Sequence, residues 1–460
     1  MVDIVIKHGT VVTMDPGRRV IADGALAIEG DSIVAVGKTQ DIAASHSAAL
    51  TIDATDRLVI PGLIDGHNHP FQYLSKGIGD DVDIMTWLYR RVYPFEAAVS
   101  AEEAYVGALG NFAQMIRSGT TCFNDPGGYH ADSLAQAALD IGMRGIVNRS
   151  TRDLADDDVP IPEKHFEDTD TALARSEALI DRWHGAGDGR LRAWTSLRYI
   201  PNCSDDLCRR VKDLADRRGV GIHTHVAAVF GENELITEKF GKRSLERYYD
   251  LGLFGPNLYC IHMGYPNERE VGWLKQHDVK VVHCPSASMH GSYGVVHNRM
   301  MPAMAEAGIT ISLGTDSATA GRFLDMVRVM YLAACAHKDA YVDPLKMGAH
   351  KALEMATIDG ARACLWDDQI GSIEVGKKAD IVLADMTGLH WAPTIDPVNT
   401  LVYAANGADV ETVIIDGRVI MRDRTLLTVD PASLRRDIDA AAKAIWRRSD
   451  LSLAPRWPAQ

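Results

Sequence analysis

The chain has 460 residues, 46% hydrophobic and 24% charged, the proportions of an ordinary globular protein and not of a disordered or collagen-like one. Its formal charge of −14 gives no electrostatic reason to expect nucleic acid or an anionic membrane as partner. No stretch approaches the ~18 consecutive apolar residues of a membrane span, and the opening MVDIVIKHGTVVTM reads as strand, not signal peptide, so the expected location is cytoplasmic. The seven cysteines (Cys122, Cys203, Cys208, Cys260, Cys284, Cys335 and Cys364) are odd in number, lack C-x-x-C spacing and mostly lie in apolar runs, which marks them as reduced core thiols.

Residues 1–60 carry short alternating segments (DIVIKHGTVVTM, GALAIEGDSIVAVG, ALTIDATDRLVI) broken at glycine and aspartate, a pattern of strands and hairpin turns. Similar text returns in GSIEVGKKADIVLADM and VETVIIDGRVI, so one small β-sandwich-like domain is expected from residues 1–60 and 371–430, with a large domain, 61–370, inserted between. Strands are predicted in that insert at LVIPGLID, TTCFND, RGIVNR, LRAWTSL, GVGIHTHV, NLYCIHM, VKVVHCP and ITISLGTD, separated by helical patterns such as EEAYVGALGNFAQMIRSG and SDDLCRRVKDLADRRG. Eight β/α units in series predict an α/β fold, a (β/α)8 barrel of the TIM type. Residues 431–460 close the chain as a helix, PASLRRDIDAAAKAIWRR, and a tail.

Such barrels keep their chemistry at the C-terminal strand ends, and there this sequence places histidine and aspartate. The first strand ends in Asp65-Gly66-His67-Asn68-His69, the fifth runs His223-Thr224-His225, and the sixth, seventh and eighth end in His262, His283 and Asp316. Two histidines at i and i+2 on a strand project to one face and can reach one ion. For the same reason His223 rivals His225; His225 is preferred because it lies nearer the strand end. Alone, each residue is an ordinary hydrogen-bonding side chain, and Asp316 could equally cap the following helix. Their recurrence at the same end of successive strands points to a metal site.

Together, PGLIDGHNH, the H-x-H at 223–225, CIH at 260–262, VHCP at 282–285 and LGTD at 313–316 resemble the amidohydrolase superfamily. TWLYRRVYPFE at 86–96 and GSIEVGKKADIV at 371–382 are similar to its branch of S-adenosylhomocysteine and adenosine-type deaminases and triazine hydrolases. The resemblance implies a distorted barrel and one divalent metal, zinc first with iron, cobalt or manganese open, held by His67, His69, His225, His262 and Asp316. It further implies that His283 touches the metal's water, whose pKa falls to about 7, and that Asp316 takes up its proton and returns it as general acid. Relatives of this kind are commonly homo-oligomers.

The chain departs from the pattern at three places. Deaminases of the branch carry H-x-x-E after strand five, where the glutamate protonates a ring nitrogen; here the run is His225-Val226-Ala227-Ala228, and Glu232 and Glu234 are expected to be solvated, the alternative being that one of them, such as Glu232, reaches in to replace the missing acid. After strand four Arg198 replaces a pocket histidine, to contact a substrate carbonyl or carboxylate or to pair with an acidic neighbour. The stretch after strand seven is longer than usual, with His290 and His297 expected as loop residues. Ring deamination needs a proton delivered to an aromatic nitrogen, so without the glutamate the first expectation is hydrolysis of an N-substituted amide, urea or (thio)carbamate, as in phenylurea and molinate hydrolases. The alternative is an aminohydrolase or dechlorinase acting on a purine, pterin or triazine ring. Trp87 is a candidate to stack on a flat small-molecule substrate or to fill the core, and Tyr73, Met85 and Met289 are candidates for an apolar lining that suits an aryl or alkyl group.

Overall fold

In a computed structural model, residues 1–155, 161–449, 451–453 and 457 are described. Of the predicted C-terminal tail, residues 450, 454–456 and 458–460 lie outside them. The alternating N-terminal segments form β1 (Val2–Val12), β2 (Val20–Glu29), β3 (Ser32–Lys38), β4 (Ala48–Asp53) and β5 (Arg57–Pro61). In the insert follow β6 (Leu63–Asp65), β7 (Thr120–Asn124), β8 (Arg144–Thr151), β9 (Leu191–Leu197), β10 (Ile222–Val226), β11 (Leu258–His262), β12 (Lys280–His283) and β13 (Ile311–Leu313). The C-terminal strands are β14 (Ile381–Asp385), β15 (Val410–Ile415), β16 (Arg418–Arg422) and β17 (Thr425–Leu426).

Strands from both ends build a nine-stranded sheet ordered β17-β16-β15-β14-β5-β1-β2-β3, with β4 on β1. Its two halves meet where β5 pairs antiparallel with β14. The predicted single strand LVIPGLID is two strands in two sheets, β5 and β6, changing sheets at Gly62. Both halves are buried, so hydropathy runs unbroken across the junction. At Gly62 a Cβ would sit 2.0 Å from Thr121 Oγ1, so no side chain fits where the chain crosses between layers.

The second sheet, β6 to β13 in chain order and parallel throughout, curls into a nearly closed distorted TIM barrel. Its ends meet where Gly66 N–H donates to Leu313 O at 2.8 Å and Asp316 N–H to His67 O at 2.8 Å. At the opposite end, Arg144 at the start of β8 donates to Asp380 at 2.7 and 3.1 Å and to Asp416 at 2.6 Å, all three buried, tying the barrel floor to the terminal sheet. The C-terminal helix spans Pro431–Arg448 as predicted, with Asp430 accepting from Ala432 and Ser433 N–H at its start. All seven cysteines are free thiols, six of them buried.

Candidate active site

Closure of the barrel decides what stands at its mouth. Asp65, fully buried, accepts from Thr315 N–H at 2.9 Å and Thr315 Oγ at 2.5 Å, and Asn68 donates to Thr315 Oγ1 at 2.9 Å and Asp316 O at 2.8 Å. The ends of β6 and β13 are thereby stapled side by side, bringing His67 and His69 to Asp316. Gly66 is required in this staple, since a Cβ there would lie 2.6 Å from the Tyr259 hydroxyl, which donates to Gly66 O. Ala227, His262 and Asp316, just beyond β10, at the end of β11 and just beyond β13, all adopt left-handed backbone (φ 49°, 71° and 61°), a strained conformation for such residues that concentrates at functional sites.

Asp316 carboxylate oxygens lie 3.7 Å from His67 Nε2, 3.5 Å from His69 Nε2 and 3.8 Å from His262 Nε2. Donors each about 2.1 Å from a common ion are separated by roughly such distances. Donor atoms of His67, His225 and His262, and of His67, His69 and Asp316, lie within 4.8 Å of one another, so the arrangement can hold a metal. His223 and His225, the two rivals of the sequence, differ in their hydrogen bonds. Asn124 Oδ1 accepts from Asn148 and lies 3.0 Å from His223 Nδ1, which therefore carries the proton; His223 Nε2 then accepts from His67 Nδ1 at 3.0 Å. This leaves His67 Nε2 a bare lone pair, buried with no hydrogen-bond partner among the described residues and facing the cluster. His225 likewise donates Nδ1–H to Arg198 O at 2.8 Å, freeing Nε2. A buried imidazole nitrogen with no hydrogen-bond partner is costly unless an ion completes it, and this donor set fits one.

Burial and neighbouring imidazoles depress His67 and His225 well below the usual histidine range, burial with Arg198 does the same to His69, and burial alone takes His262 to about 3. These shifts favour the neutral form that ligation demands. Burial lifts both Asp65 and Asp316 to about 7. His223→Ala strips the acceptor from His67 Nδ1; chelator competition is expected to show metal affinity about 10 to 100-fold weaker.

Beside the cluster opens a cavity walled by Trp87, Tyr89, Tyr93, Tyr199 and Tyr293 with Ile84, Met85, Leu88 and Val229, reaching His69, His225, His262 and Asp316 at its floor. The helix Ile84–Trp87 and the wide π-helical turn Leu88–Val92 that follows present much of this wall. Trp87 and Met85 line it. Tyr73 does not: it lines a separate cleft beside the helix Ala101–Ile116, beneath the Lys76 ammonium. Met289 is half exposed and outside the cavity wall.

Arg198 is in the wall but buried, donating to Glu96 at 3.3 Å and Gly127 O at 3.1 Å, so the acidic-neighbour role is realised. Glu96 is fixed in turn by Gln72 at 2.6 Å. His283 is fully buried, and its Nε2 lies 3.0 Å from His337 Nε2, so one ring nitrogen is committed to a histidine that the sequence reading did not single out. His283 is not part of the cavity wall, and its expected contact with a water there is not carried by this geometry. The stretch after β12 is helical where loop was expected. His290 ends the helix Pro285–His290, 3.3 Å from Asp80, and His297 is exposed on Val295–Asn298. Glu234 is solvated as expected, but Glu232 is only 2% exposed, its carboxylate drawn inward by the backbone N–H groups of Ala227 and Ala228.

The matching family description is that of the amidohydrolase family, over residues 58–420. The chain is 34% identical to a 5-methylthioadenosine/S-adenosylhomocysteine deaminase of Syntrophobacter fumaroxidans, covering 96% of this chain and 98% of that protein. It is 32% identical to a 5'-deoxyadenosine deaminase of Methanosarcina acetivorans, covering 98% and 100%. A crystal structure of an adenosine deaminase from Xanthomonas campestris with bound zinc superposes with a TM-score of 0.90 at 30% identity, covering 97% of this chain and 99% of that one. A triazine hydrolase from Arthrobacter aurescens, at 22% identity and TM-score 0.88 over 95% and 99%, shares the fold. The match runs from the last strand of the N-terminal half-sheet through the whole barrel, and on that ground this chain, a hydrolase acting on C–N bonds, belongs to the amidohydrolase family.

Proposed function

We propose that this protein is a metal-dependent aminohydrolase that releases ammonia from the ring of a purine-nucleoside-like small molecule. The carrying observation is its likeness, over nearly the full length of both partners, to deaminases of adenosine-type nucleosides. It favours the ring-aminohydrolase alternative over cleavage of an acyclic amide, urea or carbamate. The aromatic wall beside the cluster agrees with it: Trp87, Tyr89 and Tyr93 offer faces on which a flat base can stack.

His67, His69, His225, His262 and Asp316 would hold one divalent ion, zinc first by the neighbour with bound zinc, with iron, cobalt or manganese also suited to this donor set. Such an ion supplies Lewis acidity and a water of lowered pKa. Asp316, facing three imidazoles from β6 and β11, is placed to accept the water proton and to pass it to the leaving amine. Trp87 stacks on the base. Arg198, anchored by Glu96, keeps a permanent positive charge at the wall that suits a substrate carbonyl or carboxylate.

The test is product analysis on metal-replete protein with adenosine, 5'-deoxyadenosine, 5-methylthioadenosine, S-adenosylhomocysteine and a set of N-aryl ureas and carbamates. Ammonia release from at least one nucleoside is expected. Turnover confined to ureas or carbamates, with release of an amine and carbon dioxide, overturns the reading.

A further inference from the structure

The aromatic wall of the cavity is thin at Trp87. With Ile84 and Tyr293, its indole faces the substrate cavity on one side and, on the other, a second small cavity with Gly79, His290 and Ala320 in its lining. The ring is half-buried, a partition between two spaces, so its place depends on what stands against its edge. There it meets backbone. A Cβ on Gly79 would lie 2.1 Å from Trp87 Cδ1 and 2.5 Å from Nε1, so the pyrrole edge of the indole rests against the Gly79 main chain, in space that any side chain would fill. Gly79 is buried, in the stretch between the short helices Pro70–Ser75 and Ile84–Trp87. Asp83 caps the second helix by accepting from Thr86 N–H at 2.9 Å, so the indole and its support belong to one short excursion of the chain.

The residue after Gly79 anchors that excursion. Asp80 Oδ2 accepts from Arg322 Nη2 at 3.0 Å, and Asp80 Oδ1 lies 3.3 Å from His290 Nε2. His290 ends the helix that follows β12. Arg322 closes a tight turn that begins next to Asp316: Ser317 O accepts from the N–H groups of Ala320, Gly321 and Arg322 at 3.2, 2.8 and 3.2 Å, and the Arg322 guanidinium also donates to Ala318 O at 3.0 Å. Segments that follow β6, β12 and β13 therefore meet at one carboxylate, and the last of them leads directly from the Asp316 of the cluster.

We propose that Gly79 and Asp80 are positioning residues for the substrate: Gly79 sets the depth of the Trp87 indole by backing it with bare main chain, and Asp80 registers that indole against the cluster by tying Gly79 to the turn after Asp316. The inference rests on the aminohydrolase reading, with the base stacked on Trp87. A base lying on the indole touches it alike before and during reaction, so these residues act on substrate binding and leave the chemical step to the cluster. A methyl at position 79 pushes the indole edge towards the cavity and narrows the slot that the base enters. Loss of the Asp80 charge frees the excursion from the rim; the Asp80–Arg322 pair is partly exposed on both sides, so its share is the smaller one.

The experiment is steady-state kinetics with the best nucleoside of the panel on metal-replete wild type, Trp87→Ala, Gly79→Ala, Asp80→Asn and the two double variants that join Trp87→Ala to each of the others, with metal content measured for each. Trp87→Ala is expected to raise KM about 5- to 150-fold, the range for losing a base–aromatic stack, with kcat within about threefold. Gly79→Ala raises KM at least about fivefold and Asp80→Asn about two- to fivefold, again at near wild-type kcat and full metal content. In the Trp87→Ala background both effects shrink below about twofold, because the residue through which they act is gone. A merely structural role would carry the loss into that background undiminished, or would lower kcat and metal content. Asp80→Asn, which leaves the Gly79 backbone untouched, decides the matter by the same comparison where Gly79→Ala does not accumulate as folded protein. Wild-type KM in Gly79→Ala or Asp80→Asn, a KM rise that persists undiminished without Trp87, or unaltered KM in Trp87→Ala overturns the assignment and leaves the aminohydrolase reading intact. Absence of ammonia release by wild type from every nucleoside overturns that reading, and the assignment with it.

Discussion

Asp316→Ala is expected to lower kcat by about 10³-fold or more, the effect of losing general acid–base catalysis together with an anionic donor. The carboxylate is buried and lies within 3.8 Å of the Nε2 atoms of His67, His69 and His262, whereas Asp65, also buried, is occupied by Thr315. The effect therefore belongs to Asp316 and not to Asp65. Asp316→Asn preserves shape while removing charge and basicity, and it is expected to fall nearly as far. Rates compared at equal metal content separate lost chemistry from lost metal. Turnover within tenfold of wild type at matched metal content would remove Asp316 from the reaction.

Much of this architecture is legible in the residues because its signals are local. Strand β9 and the helix Pro431–Arg448 fall where periodicity puts them, and His67, His69, His225, His262 and Asp316 share one mouth because parallel strands in series must expose the same ends together. What was not legible depends on contacts distant in sequence. The His67–His223–Asn124 relay joins β6, β10 and β7, so only assembly of the barrel reveals that His223 is hydrogen-bonded to both. Glu232 looks like a solvated first-turn glutamate; its burial follows from the left-handed turn at Ala227, which points two N–H groups at it. Tyr73 misleads in the same way, since closeness in sequence to His69 does not keep it on the mouth when it sits on the short helix Pro70–Ser75 and lines another cleft. The break at Gly62 was hidden because both sheets bury their strands there.

Arg144→Met is expected to destabilise the fold by about 3–5 kcal/mol, the usual cost of leaving buried charges without their partner. Arg144 and both its carboxylate partners are buried, and the partners come from the other layer: Asp380 precedes β14 and Asp416 sits in the turn between β15 and β16. Asp380 also accepts from Asp416 N–H at 2.8 Å, so the two acids are held together even without the guanidinium. Arg190, 3.7 Å from Asp416, remains to offset part of their charge. The remedy follows from the same physics: adding Asp380→Asn and Asp416→Asn to Arg144→Met removes the stranded charge while keeping an acceptor for the Asp416 N–H, and recovers much of the loss. Equilibrium urea unfolding of the single and triple variants measures both effects. Because Arg144 stands at the barrel floor, away from the mouth, kcat well below the unfolding transition should stay at the wild-type level. A single variant within about 1 kcal/mol of wild type would mean that the barrel and the terminal sheet are held together by their apolar contact alone.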